Sequence, residues 1–337
     1  MLLTRRHLLS ACGVAGSALL LPSSPAAADP DPDDWLGWLR ANRRHVAAVL
    51  DDGRGGRLAH RPHERQPLAA AVRAVHLAGY DLAVRGGQAD PGERVRVGDW
   101  EKYHLGMDDG AHREALRALD LKSTNGLTAD DPNATVTLDD LVAVAARHGD
   151  HAALDHLRDR LGERTLRTAA IRGGWPDAPV PSLLGEWLRL VLGRAVDVQR
   201  YLADPQLQLE VIGRLPNVPK SYAGQRPFTR TTSRSTAAGL HRLLRALDGF
   251  PRALAHLEHG RTGPDGVAGI GFTGGALPGV LTLGLRVRWR DGRVGTAAVL
   301  VEEVDDHRSG TAPALVELVL DALLDPAAPG RFQVSLS

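Results

Sequence analysis

The sequence has 337 residues, of which 41 are basic and 40 acidic, giving a formal net charge of +1. This balance, without a basic stretch interleaved with aromatic side chains, argues against a nucleic-acid partner. The length allows one large domain or two closely packed lobes. Neither composition nor charge indicates an oligomeric state.

The first 28 residues have the pattern of a twin-arginine export signal. Arg5 and Arg6 are followed by a mildly apolar stretch through Leu21 and by three alanines ending at Ala28. We predict cleavage after Ala28 and an extracellular or cell-envelope location. This cleavage would remove the only cysteine, Cys12, and so exclude a disulfide or a thiol nucleophile from the mature protein.

Two alternatives concern the same segment. A membrane-spanning helix needs about 20 consecutive apolar residues, and Gly13, Gly16 and Ser17 interrupt this one. The sequence Leu-Ser-Ala-Cys at residues 9–12 resembles a lipid-attachment motif, but it follows the arginines with no apolar region before it. We therefore expect neither stable membrane insertion nor a lipid anchor.

Hydrophobic periodicity predicts an amphipathic helix starting at Asp31, then a hairpin with strands at 46–50 and 57–60. The central part reads as helical, and the predicted helices cover 66–84, 112–119, 138–146, 152–161, 183–196 and 235–247. The last hundred residues return to strands, predicted at 267–273, 280–290 and 294–304, before a closing helix at 313–324. Strands at both ends with helices between them predict an α+β fold whose sheet is interrupted by a long helical insertion.

Three separated segments of the sequence are informative when they are taken together. Residues 66–73 read Gln-Pro-Leu-Ala-Ala-Ala-Val-Arg, residues 149–155 read Gly-Asp-His-Ala-Ala-Leu-Asp, and residues 273–281 read Thr-Gly-Gly-Ala-Leu-Pro-Gly-Val-Leu. In this order they resemble three motifs of the class A serine β-lactamases and related penicillin-binding proteins. Those motifs are Pro-Leu-Ala-Ser-x-x-Lys, Ser-Asp-Asn-x-Ala-x-Asp, and Lys-Thr-Gly followed by Leu-Pro-Gly.

The resemblance implies a β-lactamase/transpeptidase-like fold, with a five-stranded antiparallel sheet flanked by helices and an inserted all-helical lobe. The α/β lobe would comprise about residues 29–68 and 226–337, and the helical lobe about 69–225. A groove would lie where the lobes meet. In this comparison Asp150 and Gly275 match the motifs, but the reactive positions do not. The replacements are Ala70 for serine, Arg73 for lysine, Gly149 for serine, His151 for asparagine, Thr273 for lysine and Gly274 for threonine.

These replacements remove the chemistry that the resemblance implies. Acyl transfer needs an activated hydroxyl, and Ala70 has none. A guanidinium has a pKa above about 12 and stays charged, so Arg73 cannot be the base. We therefore predict a catalytically inactive homologue that binds a cell-wall peptide, a β-lactam-like molecule or a protein partner. The ligand-binding candidates are Ala70, Arg73, His151, Thr273 and Ala276, where Ala70 and Ala276 would contribute the backbone N–H groups of an oxyanion hole.

An active hydrolase with a relocated nucleophile is the main alternative. The candidates are hydroxyls that lie close to Arg230 and Arg234 in the sequence, namely Thr229, Thr231, Thr232, Ser233 and Ser235. Such a nucleophile would need a base beside it, and helix capping and loop solvation are the ordinary explanation for these hydroxyls. Glu186 lies about where a deacylating carboxylate would be sought, but it lacks the asparagine expected nearby, and a solvated charge in the first turn of a helix is the simpler interpretation.

A metal site is the remaining alternative. His148, His151 and Asp155 would share one face of an unbroken helix, but Gly149 predicts a turn between them. We expect no metal and no cofactor.

Overall fold

The computed structural model describes residues 32–261, 263–325 and 328–336. The predicted export signal and Cys12 lie outside the described residues. Within those ranges, no helix combines the length and apolar character that a membrane crossing requires.

The predicted α+β fold is confirmed. Its centre is a five-stranded antiparallel sheet with the strand order β2-β1-β9-β8-β7, so that strands from both ends of the chain lie side by side. The strands are β1 (Val46–Asp51), β2 (Arg57–His60), β7 (Val267–Leu277), β8 (Val280–Trp289) and β9 (Val294–Glu302). A tight turn that contains Gly292 at φ 86° joins β8 to β9, as the hairpin prediction requires.

Alternate residues of β1 face opposite sides of the sheet, as the two-residue period of a strand dictates. Val46, Ala48 and Leu50 pack in one apolar cluster, whereas Ala47 belongs to the other. The first cluster is covered by three helices from the chain ends, α1 (Pro32–Ala41), α15 (Ala312–Leu324) and α16 (Ala328–Leu336). The helix α14 (Asp306–Gly310) precedes α15.

The opposite face of the sheet packs on helices from the middle of the chain. The best buried of these is α2 (Arg73–Arg85), with α12 (Ala237–Arg245) and α13 (Pro251–Glu258) beside it. The other central helices are α3 (Val97–Glu101), α4 (Ala111–Ala118), α5 (Leu138–Arg147), α6 (His151–Leu161), α7 (Glu163–Arg172), α8 (Leu183–Leu192), α9 (Val198–Ala203), α10 (Pro205–Arg214) and α11 (Tyr222–Thr229).

Two short antiparallel pairs join distant parts of this region. β3 (Arg65–Pro67) pairs with β6 (Arg234–Thr236), and β4 (Arg94–Arg96) pairs with β5 (Thr135–Thr137). The β3–β6 pair encloses the helical insertion, because its two strands lie on either side of it in the sequence.

The helix predicted at 66–84 begins later than expected. Residues 65–67 form β3, a 3₁₀ turn covers Ala69–Val72, and α2 starts at Arg73. The helix predicted at 183–196 ends at Leu192, because Gly193 adopts a left-handed conformation with φ 69°. The helices α9, α10 and α11 had not been predicted.

Candidate functional site

The 3₁₀ turn that contains Ala70 is held in a tight, strained conformation. Ala69 has φ 46°, a left-handed value that is uncommon for a residue with a side chain. Strand β7 passes directly over this turn, and a Cβ at Gly275 would lie 2.3 Å from the backbone N of Ala70. Only glycine fits there without movement of the strand or the turn, so the first and third motif segments are in direct contact.

Arg73 forms a second connection between the turn and the strand. Its side chain is buried, and Nη2 donates a hydrogen bond to the carbonyl oxygen of Gly274 at 2.5 Å. No carboxylate in the described part of the chain lies within ion-pair distance of it. Burial, with a smaller effect of the nearby Arg261, lowers the pKa of Arg73 to about 10. The guanidinium therefore stays charged at neutral pH and cannot accept a proton.

Thr273 points to the same turn. Its side chain is fully buried, and Oγ1 donates to the carbonyl oxygen of Ala71 at 3.2 Å. A lysine in this position would extend a cation toward the turn, whereas Thr273 has an uncharged hydroxyl that is already hydrogen-bonded.

The second motif segment forms the turn between α5 and α6. Gly149 has φ 73°, a conformation that favours glycine. Asp150 follows as the N-cap of α6, where Oδ1 accepts a hydrogen bond from the N–H of Ala153 at 2.9 Å. The retained aspartate therefore has a clear structural role, and the glycine at 149 suits a backbone that a serine would strain.

Asp150 also belongs to a buried ionic network that sequence reasoning missed. His112 Nδ1 lies 2.9 Å from Asp150 Oδ2, and His112 Nε2 lies 3.3 Å from Glu101 Oε1. All three side chains are less than one-tenth exposed. The ring of His112 stacks on that of His104, with centroids 4.1 Å apart. Residues 101, 112 and 150 are too far apart in the sequence to form a recognisable motif, so only the fold reveals them.

The network favours charged forms of its members. Burial alone would lower the pKa of His112, but hydrogen bonds from its ring to Asp150 and Glu101 outweigh burial and raise it to about 9. Burial alone would raise the pKa of Asp150, but the hydrogen bond and the positive charge of His112 hold it below its ordinary value. An imidazolium between two carboxylates therefore anchors α4 to the N-terminus of α6.

His151 contacts an aromatic side chain. Trp187 Nε1 donates to His151 Nδ1 at 3.3 Å, and the two rings stack at a centroid distance of 6.3 Å. Trp187 in turn stacks on Phe228 at 5.8 Å. Burial lowers the pKa of His151, so the imidazole is neutral at physiological pH.

The same tryptophan belongs to a small apolar cluster beside the 3₁₀ turn. Trp187 packs with Leu277 and Val280 from the β7–β8 hairpin, and Ala69 is packed against this cluster. Further side chains packed against it are Leu105, Met107, Leu190 and Phe228. This apolar cluster therefore joins α8, the β7–β8 hairpin and the 3₁₀ turn.

Glu186 contacts the loop after α11. Its Oε1 accepts a hydrogen bond from the N–H of Ser233 at 2.9 Å, and burial raises its pKa. This contact ties the first turn of α8 to the chain just before β6, and gives the carboxylate a structural partner.

The Thr/Ser-rich segment is also engaged in structural contacts. Thr231 and Thr232 donate to the carbonyl oxygens of Phe228 and Thr229, both at 2.8 Å. Ser235 accepts a hydrogen bond from Trp175 Nε1 at 2.9 Å. Three carboxylates lie near this segment: Glu186 is hydrogen-bonded to Ser233, and Glu302 and Glu303 form ion pairs with arginines.

The spacing that suggested a metal site is interrupted by the turn at Gly149. Asp155 accepts hydrogen bonds from the N–H groups of Leu183 and Leu184, at 3.0 and 2.6 Å, and so supports the start of α8. Burial raises the pKa of Asp155 to about 6. A search of the described residues identifies no group of three or more His, Cys, Asp or Glu residues arranged to hold a metal ion.

The sheet order, the inserted helices and the three converging segments define the fold of class A β-lactamases and penicillin-binding proteins. No protein-family model matches the sequence, and no curated protein matches it either.

Several solved structures, in contrast, match the fold of this chain. The β-lactamase from Sphaerobacter thermophilus DSM 20745 is 19% identical with a TM-score of 0.53, covering 83% of this chain and 92% of its own. PBP-A is 16% identical with a TM-score of 0.51 and coverages of 89% and 98%. The β-lactamase from Burkholderia vietnamiensis is 16% identical with a TM-score of 0.51 and coverages of 87% and 99%. At such identities the similarity establishes the shared fold.

Proposed function

We propose that this protein is an exported β-lactamase-like protein without acyl-enzyme chemistry, which binds a cell-wall peptide, a β-lactam-like molecule or a protein partner in the groove. The observation that carries the proposal is the pair Ala70 and Arg73. The first offers no oxygen for a covalent ester, and the second is a buried cation hydrogen-bonded to the carbonyl of Gly274. Nucleophilic catalysis requires both an attacking atom and a base that receives its proton.

Binding does not depend on these lost groups. An oxyanion hole uses backbone N–H groups, and the turn at Ala70 and the strand at Ala276 are held together by the close approach of Gly275. The neutral His151 and the Trp187–Phe228 stack supply an aromatic wall, which suits a ligand with both polar and apolar groups.

Two assays on the mature protein test the absence of catalysis. A chromogenic cephalosporin should not be hydrolysed, and a fluorescent penicillin should not remain attached after denaturation. A retained label would instead favour the hydrolase with a relocated nucleophile, and alanine substitution at Thr229 or Ser233 would then identify it. Non-covalent binding is tested by titrating cell-wall peptides against the protein, with Trp187 fluorescence as the signal.

Export is tested separately. Replacement of Arg5 and Arg6 by lysine should retain the protein in the cytoplasm, because the paired guanidinium groups are the recognised feature of the signal. N-terminal sequencing of exported protein should begin near Asp29. Unchanged export of the double variant, or a lipid on Cys12, would contradict this part of the proposal.

A further inference from the structure

A cavity lies beside the first and third motif segments, where α11 meets the end of the sheet. Its volume is about 180 Å³. It is lined by Pro67, Arg226, Thr229, Arg230, Arg234, Pro278, Gly279, Val280, Glu302 and Glu303. The replaced motif positions Ala70, Arg73, Gly149, His151, Thr273 and Gly274 are not among them.

The charged side chains of this cavity give it a net positive charge. Glu303 pairs with Arg226 and, at 3.0 Å, with Arg230, while Glu302 pairs with Arg234 at 2.6 Å. Three guanidinium groups thus face two carboxylates, which leaves one positive charge without a counterion in the cavity. Each guanidinium has five N–H donors, and the ion pairs hold the arginines in place while occupying only part of that capacity.

A buried polar atom in the same cavity lacks a partner. Thr229 is only 1% exposed, and its Oγ1 makes no hydrogen bond to any described residue. A buried hydroxyl without a hydrogen-bond partner lowers the stability of the folded protein. The hydroxyl of Thr229 is therefore a donor that no contact within the helix uses. An acceptor atom from a ligand would satisfy it.

The remaining wall is apolar. Pro67, Pro278 and Val280 are all buried and line the cavity beside the arginines. The volume accommodates about six water-sized groups. Cationic N–H donors, a free hydroxyl and a small apolar wall together suit an acidic group on a short aliphatic stem.

We propose that this cavity, formed by α11, β3 and the β7–β8 hairpin, binds a carboxylate with a short aliphatic stem through Arg230 and Thr229. The carboxylate would accept N–H donors of Arg230 and the hydroxyl of Thr229, while the stem contacts Pro278 and Val280. A free small acid and the C-terminal carboxylate of a peptide present this same chemistry. The site shares Val280 with the apolar cluster around Trp187. It uses none of the replaced motif positions Ala70, Arg73, Gly149, His151, Thr273 and Gly274, so its test does not depend on the proposed groove function.

The test compares propionate with propionamide, which has the same shape and no charge, in ligand-observed NMR titrations of the mature protein. Propionate should bind at least tenfold more tightly, because charge-assisted hydrogen bonds are the stronger class. Arg230→Gln should weaken propionate binding roughly tenfold, and Thr229→Val by roughly threefold to tenfold. Arg200→Gln is the matched control, since Arg200 is an exposed arginine on α9 outside the cavity, and it should bind like the wild type.

A second arm identifies the source of the carboxylate. N-acetyl-Ala-Ala with a free C-terminus is compared with its C-terminal amide, and tighter binding of the free acid than of propionate would assign the site to peptide ends. Equal binding of propionate and propionamide would overturn the proposal. So would unchanged propionate affinity in both Arg230→Gln and Thr229→Val, or the lack of saturable binding by either carboxylate. Arg230 is largely exposed, so its variant should fold normally.

Discussion

The three motif segments contain two kinds of position. Some shape the backbone, others are where the resemblance places reactive side chains, and the fold depends much more on the first kind than on the second. Gly275 permits a contact between β7 and the 3₁₀ turn that no larger residue allows. Asp150 caps α6 and also pairs with the charged, buried ring of His112. Ala70, by contrast, contributes only a buried methyl group to its surroundings. The difference teaches that a β-lactamase-like frame can be maintained by packing and capping alone, without the side chains that perform acyl transfer.

The largest effect is expected at Asp150. Asp150→Ala should lower the free energy of unfolding by about 3–5 kcal/mol, because it leaves His112 as a buried charge and removes a helix cap. Chemical denaturation measures this. Asp197→Ala is the matched control, since Asp197 also caps a helix, α9, but is exposed, and its loss should cost only about 1 kcal/mol. Equal effects of the two variants would show that the buried network adds nothing.

The pH dependence of stability should reveal the raised pKa of His112. Its folded pKa of about 9 lies above the ordinary value of 6.5, so its contribution is fully present below pH 6.5 and is lost as the pH rises through about 9. The difference in unfolding free energy between the wild type and His112→Gln should therefore shrink over this window, by at most about 3 kcal/mol.

His259→Gln is the control for this measurement. Burial lowers the pKa of His259 below 6.5, so its protonation lies outside the window and the corresponding difference should stay constant between pH 7 and 10. A constant difference for His112→Gln as well would mean that the His112 imidazole is not charged in the folded protein.

A smaller effect is expected at Gly275. Gly275→Ala should destabilise by about 1–3 kcal/mol, because the new Cβ would lie 2.3 Å from Ala70 N and 2.8 Å from the Ala69 Cβ. Gly37→Ala in α1 is the control, since nothing lies within 4 Å of a Cβ there, and it should be neutral or slightly stabilising. Thermal unfolding of both variants measures the contrast. An unperturbed Gly275→Ala would show that the turn and strand are less tightly joined than the geometry indicates.

The α+β fold was predictable because the sequence patterns that indicate its strands and longer helices are local. Alternation predicted the strands of the sheet, and periodicity predicted α5 at 138–146, which begins in the structure where Thr137 forms a capping box with Asp140. The helices α9, α10 and α11 were missed because each has only one or two buried residues, too few for a clear periodic pattern. Their start signals, Asp197, Asp204 and Ser221, are visible only as isolated capping residues.

The site was predictable only in part. The three motif segments identified Ala70, Arg73 and Thr273, yet the hydrogen bonds from Arg73 to Gly274 and from Thr273 to Ala71 depend on how strand and turn are placed. The partners of Asp150 come from helices that no motif connects to it. Buried ionic networks of this kind depend on tertiary contacts, which a sequence pattern with a period of two or 3.6 residues does not encode.

The most direct measurement of the central claim is the intact mass of the wild type and of Ala70→Ser after incubation with penicillin. The substitution adds one hydroxyl to a buried alanine, which costs at most about 1–3 kcal/mol of stability if the hydroxyl finds no partner. Both masses should stay constant, because Arg73 cannot take the hydroxyl proton and catalytic groups that act as a unit are lost as a unit. A mass increase of one penicillin on Ala70→Ser would show that the frame still supplies a base, and an increase on the wild type would contradict the account outright.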